Sequence, residues 1–212
     1  MKTFDKELFW QYVKACTNLY GVVTIDQVIK LFMDHNPGMS IKKEDVLRLR
    51  KKPEWKEWLE DSLLDDLDGG FAHLDVLIEE IVWEITMMGA DEDWYMPKKE
   101  ELLPYADHFY AEPTEQYVAL KNYVEPSYPT DAEYDLDEAL YEMRVSLQVS
   151  PTLEDALPIF VMMFGTEDKK DLQTRIDLFV DFANHYRMWR YKGHHRAEIG
   201  EEVSLHFGRR FF

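Results

Sequence analysis

Apolar residues recur along this chain at steps of three and four, the spacing that lines one face of an α-helix. Leu8, Phe9, Tyr12, Cys16, Leu19 and Tyr20 form the first such stripe. Gly21 follows directly, where a helix commonly ends in a left-handed residue. Thr24 and Gln27 have the spacing of a capping box, in which each side chain satisfies the other's backbone donor. Ile25, Val28, Ile29 and Phe32 make a second stripe, stopped by Asn36-Pro37-Gly38. A third helix is predicted after Ser40, with Glu44 and Asp45 in its first turn and Val46, Leu47 and Leu49 inside, ending near Lys52-Pro53. Three short helices with a tight glycine turn between the first two predict a helix-turn-helix-like unit.

The pattern then weakens. Trp55, Trp58 and Leu59, then Leu63, Leu64 and Leu67, and finally Asp68-Gly69-Gly70 fit either a short helix or a β-hairpin wing, and a small β wing is expected here. Leu74, Leu77, Ile78, Ile81, Ile85 and Met88 predict one amphipathic helix ended by Gly89. A helix opened by Pro97 runs through Leu103, and another near Pro113 carries Tyr117, Leu120 and Val124. Glu125-Pro126-Ser127-Tyr128-Pro129-Thr130 holds two prolines in six residues, which makes 126–130 the linker candidate. Three helices follow. The first carries Leu136, Leu140, Met143 and Leu147, and the second spans Thr152 to Phe164. The third carries Leu172, Ile176, Phe179, Val180 and Ala183 and continues towards Trp189. The expected fold is therefore mainly α: helical bundles with an N-terminal helix-turn-helix-like unit and a small β wing. A winged-helix-like region over 1–125 and a helical region over 131–212 form either two domains or one compact unit.

Composition narrows the class. Of 212 residues 46% are hydrophobic, enough to bury a core despite a net charge of −18. Cys16 is the one cysteine, so no internal disulfide forms, and its place on an apolar stripe predicts a buried thiol. The first residues are charged where a signal peptide needs an apolar stretch. The longest apolar run, Leu157–Phe164, contains a proline and is far short of the ~20 residues of a spanning helix. A cytoplasmic protein that neither crosses nor binds a membrane is expected.

Charge is distributed unevenly. Residues 1–56 carry a net +4, residues 57–183 hold thirty-two acidic and seven basic side chains, and residues 184–212 return to +3. In the middle segment Asp131, Asp135 and Glu138 recur at helical steps away from Leu136, Leu140 and Met143 and so share an outward face. Near the N-terminus Lys42, Lys43, Arg48, Arg50, Lys51 and Lys52 place six basic residues within eleven, a candidate for phosphate contacts. Near the C-terminus Asn184, Arg187, Trp189, Arg190 and His194 combine residue types that serve well in binding sites. The plainer expectation there is that Asn184 and Arg187 bind backbone carbonyls at a helix junction while Trp189 packs between helices. His185, His194, His195 and His206 lie near Asp181 and Glu198, but their spacing matches no zinc signature, and packing or capping is expected of them. No nucleophile elbow, phosphate loop or dinucleotide fingerprint occurs in the sequence.

Three stretches carry a resemblance. They are Asn18-Leu19-Tyr20-Gly21-Val22-Val23, then Trp94-Tyr95-Met96-Pro97 running on through Glu101-Leu102-Leu103-Pro104-Tyr105-Ala106-Asp107 to Tyr110, and Asn184-His185-Tyr186-Arg187-Met188-Trp189 followed by Gly193-His194. In order and spacing the chain resembles uncharacterised proteins of low-GC Gram-positive bacteria related to the SEC-C motif-containing family. That family's C-terminal zinc module needs several cysteines after Gly193, and none stands there. The resemblance implies a fold and a cell type rather than an activity.

These features predict a non-enzymatic protein without cofactor or metal that binds another macromolecule, foremost another protein through its acidic middle. A DNA-binding transcription regulator using residues 8–56 is the alternative, and an acidic mimic of nucleic acid is a further one. The pattern sets no oligomeric state.

Overall fold

The structure is a computed structural model that describes residues 4–87 and 93–205. The chain is mainly helical (62%), with 12 helices and a small three-stranded antiparallel sheet among the described residues. It divides into two compact units, Met1–Tyr110 and Ala111–Phe212.

In the first unit α1 (Lys6–Tyr20) starts at Asp5, whose carboxylate accepts the Leu8 N–H at 3.1 Å. It ends at Gly21, whose φ of 74° suits glycine and whose N–H returns to Thr17 O at 2.8 Å. The glycine turn expected between two helices is instead the start of a strand, β1 (Val22–Thr24). Thr24 and Gln27 form the expected capping box of α2 (Ile25–His35). After α3 (Lys43–Leu49) both weak readings of the next stretch are realised in sequence: α4 (Pro53–Glu60), then a hairpin of β2 (Leu64–Leu67) and β3 (Gly70–His73). β3 lies between β1 and β2, antiparallel to each, with Val23 and Asp66 both opposite Phe71. Gly70 is required here, since a Cβ would stand 2.3 Å from Val23 O.

The single helix expected over Leu74–Met88 is broken into α5 (Leu74–Ile78) and α6 (Val82–Met87), and Met88 and Gly89 lie outside the described residues. Glu80 takes a left-handed φ of 57°, and the N–H groups of Glu80 and Ile81 return to Leu77 O and Val76 O. This is a Schellman termination, satisfying the carbonyls that a continuous helix would have used. Pro97 precedes the four-residue α7 (Lys99–Leu102) instead of opening it, because Lys98 is the capping residue. The core centres on Phe9, Tyr12, Phe32 and Trp55, with Trp10 edge-on to Trp55 at 4.9 Å and stacked on Trp58 at 5.5 Å.

In the second unit α8 (Glu115–Val124) buries Leu120 and Val124 among the residues of the three long helices. The proline-rich segment that follows is a turn inside this unit, so the division falls between Tyr110 and Ala111 rather than at 126–130. α9 (Leu136–Val149), α10 (Leu153–Phe164) and α11 (Lys169–His185) pack as expected around Leu140, Met143, Phe160, Phe179 and Phe182. α9 begins only at Leu136, because Asp135 caps it in a box with Glu138, so Asp131 lies before the helix and does not share its outward face with Asp135 and Glu138. α11 ends at His185, and Trp189 sits in a separate 3-10 turn before α12 (Arg196–Ile199). No described helix is long and apolar enough to cross a membrane.

Phe160 stacks on Phe179 at 4.3 Å with the rings 14° from parallel, at the centre of the second core. Phe160→Ala should therefore lower the stability of this unit by about 3–5 kcal/mol. Met162→Ala, on the same helix but 67% exposed, should change it by less than about 0.5 kcal/mol, both read by urea denaturation.

Candidate functional site

The basic run of the first unit does not form one free surface. Lys43 is paired with Asp26 at 3.1 Å, and Arg48 with Asp45 at 3.1 Å. Arg50 is drawn inward. Its guanidinium donates to Leu67 O at 3.2 Å and Gly70 O at 2.6 Å, and it lies 4.7 Å from the centre of the Phe71 ring. Asp66 Oδ1 stands 3.2 Å away, an ion pair by distance though without hydrogen-bond alignment. Burial pushes the Asp66 carboxyl up, against the Trp55 indole N–H at 2.9 Å and Arg50. Arg50 is therefore the clamp that holds the hairpin to the end of α3. Lys42, Lys51 and Lys52 remain exposed, but the hairpin beside them carries Asp65, Asp66 and Asp68.

The C-terminal group of residues is brought together in the second unit, and its polar atoms bond the chain's own backbone and carboxylates. Asn184 exchanges two hydrogen bonds with the Val203 backbone, at 2.9 Å each. Arg187 donates to Glu112 at 2.8 Å, to Gly193 O at 3.1 Å and to Glu198 at 3.3 Å. Arg190 donates to Pro151 O at 2.7 Å and to Ser150 O, closing the carbonyl end of α9. Trp189 is buried, with its backbone N–H on the Gln148 side chain at 2.8 Å. The expectation for Asn184 and Arg187 at a helix junction matches this geometry.

The histidines act locally. His195 caps α12, accepting the Glu198 N–H at 3.2 Å, while His194 contacts the Glu198 carboxylate at 3.1 Å. His185 bonds Asp181 O at 2.8 Å, and His206 lies outside the described residues. Burial lowers the His195 pKa and outweighs the pull of Glu198. Burial works against the Glu198 carboxylate, but Arg187 and the bonds from His195 and His194 hold it below its ordinary range. Among the described residues no group of three or more His, Cys, Asp or Glu is placed to hold a metal ion.

The acidic middle yields a different arrangement, around the turn that leads into α9. Asp131, Glu133, Asp135, Asp137 and Glu138 are all exposed, five carboxylates within eight residues, with Glu125 exposed nearby. Asp137 is paired with Lys121 at 2.7 Å, and Asp135 and Glu138 cap α9. Asp131, Glu133 and Glu125 form no ion pair with a described residue. The Tyr128 hydroxyl donates to Tyr134 O at 2.9 Å, folding the loop into a cleft of about 380 Å³ lined by Glu125, Tyr128, Tyr134, Asp135 and Leu136. Burial raises the Tyr128 pKa, and the negative potential of Asp135 and Glu138 adds to it. The sequence pattern marks Asp131, Asp135 and Glu138 but not Glu133, Asp137 or the two tyrosines. The signal available was a pair of aromatics in an otherwise polar, proline-marked segment.

Comparison with protein-family models, with curated proteins and with solved structures finds no match in any of the three.

Arg50 and Arg48 stand two residues apart with opposite surroundings. Arg50→Ala should destabilise the first unit by about 2–3 kcal/mol, since it removes charged hydrogen bonds to two carbonyls. Arg48→Ala should have an effect below about 0.5 kcal/mol, its side chain being 74% exposed. Thermal and urea unfolding of the two variants makes the comparison.

Proposed function

We propose that this chain is a non-enzymatic binding protein whose partner is a basic protein, docked on the carboxylate-rich face around Tyr128 and Tyr134. The carrying observation is the exposed acidic segment from Glu125 to Glu138, folded around an aromatic cleft. A lysine or arginine side chain fits such a cleft chemically. Aromatic faces attract cations, and carboxylates at the rim supply the opposite charge. The polar groups near the C-terminus support this reading indirectly, because Asn184, Arg187 and Arg190 are engaged with the protein's own backbone. We also propose kinship with the SEC-C-related proteins. In support, residues of the first two resembling stretches meet: Asn18 donates to Tyr105 O, and Tyr20 stands edge-on to Trp94 at 4.8 Å.

Fluorescence anisotropy with a short lysine- and arginine-rich peptide tests the docking face. Binding is expected at low salt and should weaken steeply at physiological ionic strength, where the screening length is about 8 Å. Asp131→Lys combined with Glu133→Lys should reduce the affinity about tenfold. These positions are preferred to Asp135 and Glu138, whose replacement would also remove the α9 cap at a cost of about 1 kcal/mol. Peptide binding that is unchanged by the double reversal would sink the reading.

A second reading rests on the element order of the first unit. The order is helix, strand, three helices and a hairpin wing, in which α3 or α4 would meet nucleic acid, and Lys42, Arg48, Lys51 and Lys52 are exposed on them or beside them. The acidic hairpin disfavours it. Even non-specific phosphate contacts register at low salt, so a gel shift with random duplex decides. We expect no shift; a salt-sensitive shift that Lys51→Glu with Lys52→Glu abolishes would establish DNA binding instead.

A further inference from the structure

The first unit contains a second concave feature, separate from the basic run and far from acidic in character. A cleft of about 420 Å³ opens between α1, β1, α2 and the stretch holding Asp93, Trp94 and Met96. Small-molecule sites occupy roughly 300–1,000 Å³ and combine an apolar lining with a few polar groups that orient the ligand. This cleft has both. Tyr20, Leu31, Trp94 and Met96 supply its aromatic and aliphatic walls, and Gln27 and Lys30 stand on α2 at its edge.

The walls are held in place before any ligand arrives. The Tyr20 hydroxyl donates to Tyr95 O at 2.7 Å, and its ring meets Trp94 edge-on at 4.8 Å. His35 spans the same two parts of the chain, contacting the Tyr12 hydroxyl at 3.1 Å and Pro97 O at 3.0 Å. Since a carbonyl only accepts, Nε2 carries the proton to Pro97 and Nδ1 accepts from Tyr12. Cys16 lines the cleft as a buried thiol whose pKa burial pushes far up, so it is neutral and apolar there.

The polar groups at the edge define the ligand's head. The Gln27 side-chain oxygen is fixed by the capping box, accepting from Thr24 N–H at 2.8 Å and from the Thr24 hydroxyl at 3.0 Å. That leaves its amide N–H groups as donors. Lys30 follows one turn later on α2, is exposed, and forms no ion pair with a described residue. Two donors, one of them charged, favour an anionic acceptor. Asp93 on the same lining adds a negative charge, which disfavours ligands that carry more than one.

We propose that this cleft binds a small monoanionic aromatic compound, a carboxylate whose ring lies against Tyr20, Trp94 and Met96 and whose head meets Lys30 and Gln27. The site is non-covalent, and it rests on none of the residues assigned to the docking face of the second unit.

Calorimetric titration of the whole chain with 3-phenylpropionate, and with the uncharged 3-phenylpropanol, tests the assignment. Saturable binding of one carboxylate per chain is expected, with the alcohol about tenfold weaker for loss of the charged contact. Lys30→Gln should bring the carboxylate down to the level of the alcohol, and because Lys30 is exposed the variant keeps the fold. Trp94→Phe supplies a second measurement: ligand-induced change in tryptophan fluorescence should shrink while calorimetric binding persists. Absence of saturable binding at millimolar carboxylate overturns the proposal. So does a carboxylate affinity that Lys30→Gln leaves unchanged.

Discussion

A backbone carbonyl that leaves water must find a donor, and a helix leaves its last carbonyls without one. Arginine meets this constraint at several points in both units. Arg190 takes the carbonyls at the end of α9, and Arg175 takes Phe164 O at the end of α10 while also bonding Asp171 and Ser127. Arg50 does the same for the hairpin turn, and Arg187 for the loop at Gly193. A planar fork of donors suits several carbonyls at once, and its long stem packs among apolar side chains. Asn184 solves the equivalent problem for the Val203 backbone, where it donates and accepts. The residues that most resemble a binding site are thus those that close the chain on itself.

The first unit shows the same logic in a partly buried chain of polar groups. Lys99 donates to the Asn36 side chain at 2.6 Å, Asn36 donates to the Tyr12 hydroxyl at 3.1 Å, and that hydroxyl meets His35, which reaches Pro97 O. Burial raises the Tyr12 pKa to about 12, so the hydroxyl stays protonated and continues the relay of hydrogen bonds. These contacts bring the segment from Asp93 onwards against α1 and α2, and the cleft lined by Tyr20 and Trp94 exists because of them. Packing and site share one cause here.

Carboxylates follow a different rule. An ionised carboxylate has no donor to give a carbonyl, so in this chain the carboxylates cap helix starts, pair with arginines or remain in solvent. Asp5, Asp135 and Asp168 accept backbone N–H groups, and Asp131 and Glu133 face outward. Several arginines, among them Arg144, Arg175, Arg187 and Arg190, are drawn inward while most carboxylates stay outside, which makes the surface more acidic than the composition alone implies. That asymmetry motivates a basic partner.

The sequence by itself determined the elements whose signals are local. Gly21, the Thr24 and Gln27 box, and the Asn36 stop are decided within a few residues, and the structure places each where spacing puts it. The three long helices of the second unit were legible for the same reason, since a stripe of apolar residues needs only a face to bury. Tertiary structure decided the rest. β1 is three residues long and exists because β3 pairs with it, a partner almost fifty residues away. The helix expected over Leu74–Met88 breaks at Glu80 although its apolar spacing continues, and Ile78 is left 70% exposed. Arg48 and Arg50 are indistinguishable in composition and spacing, yet one lies in solvent and the other beneath a hairpin. Periodicity records which faces are apolar; which carbonyl a guanidinium will find depends on segments that only folding brings together.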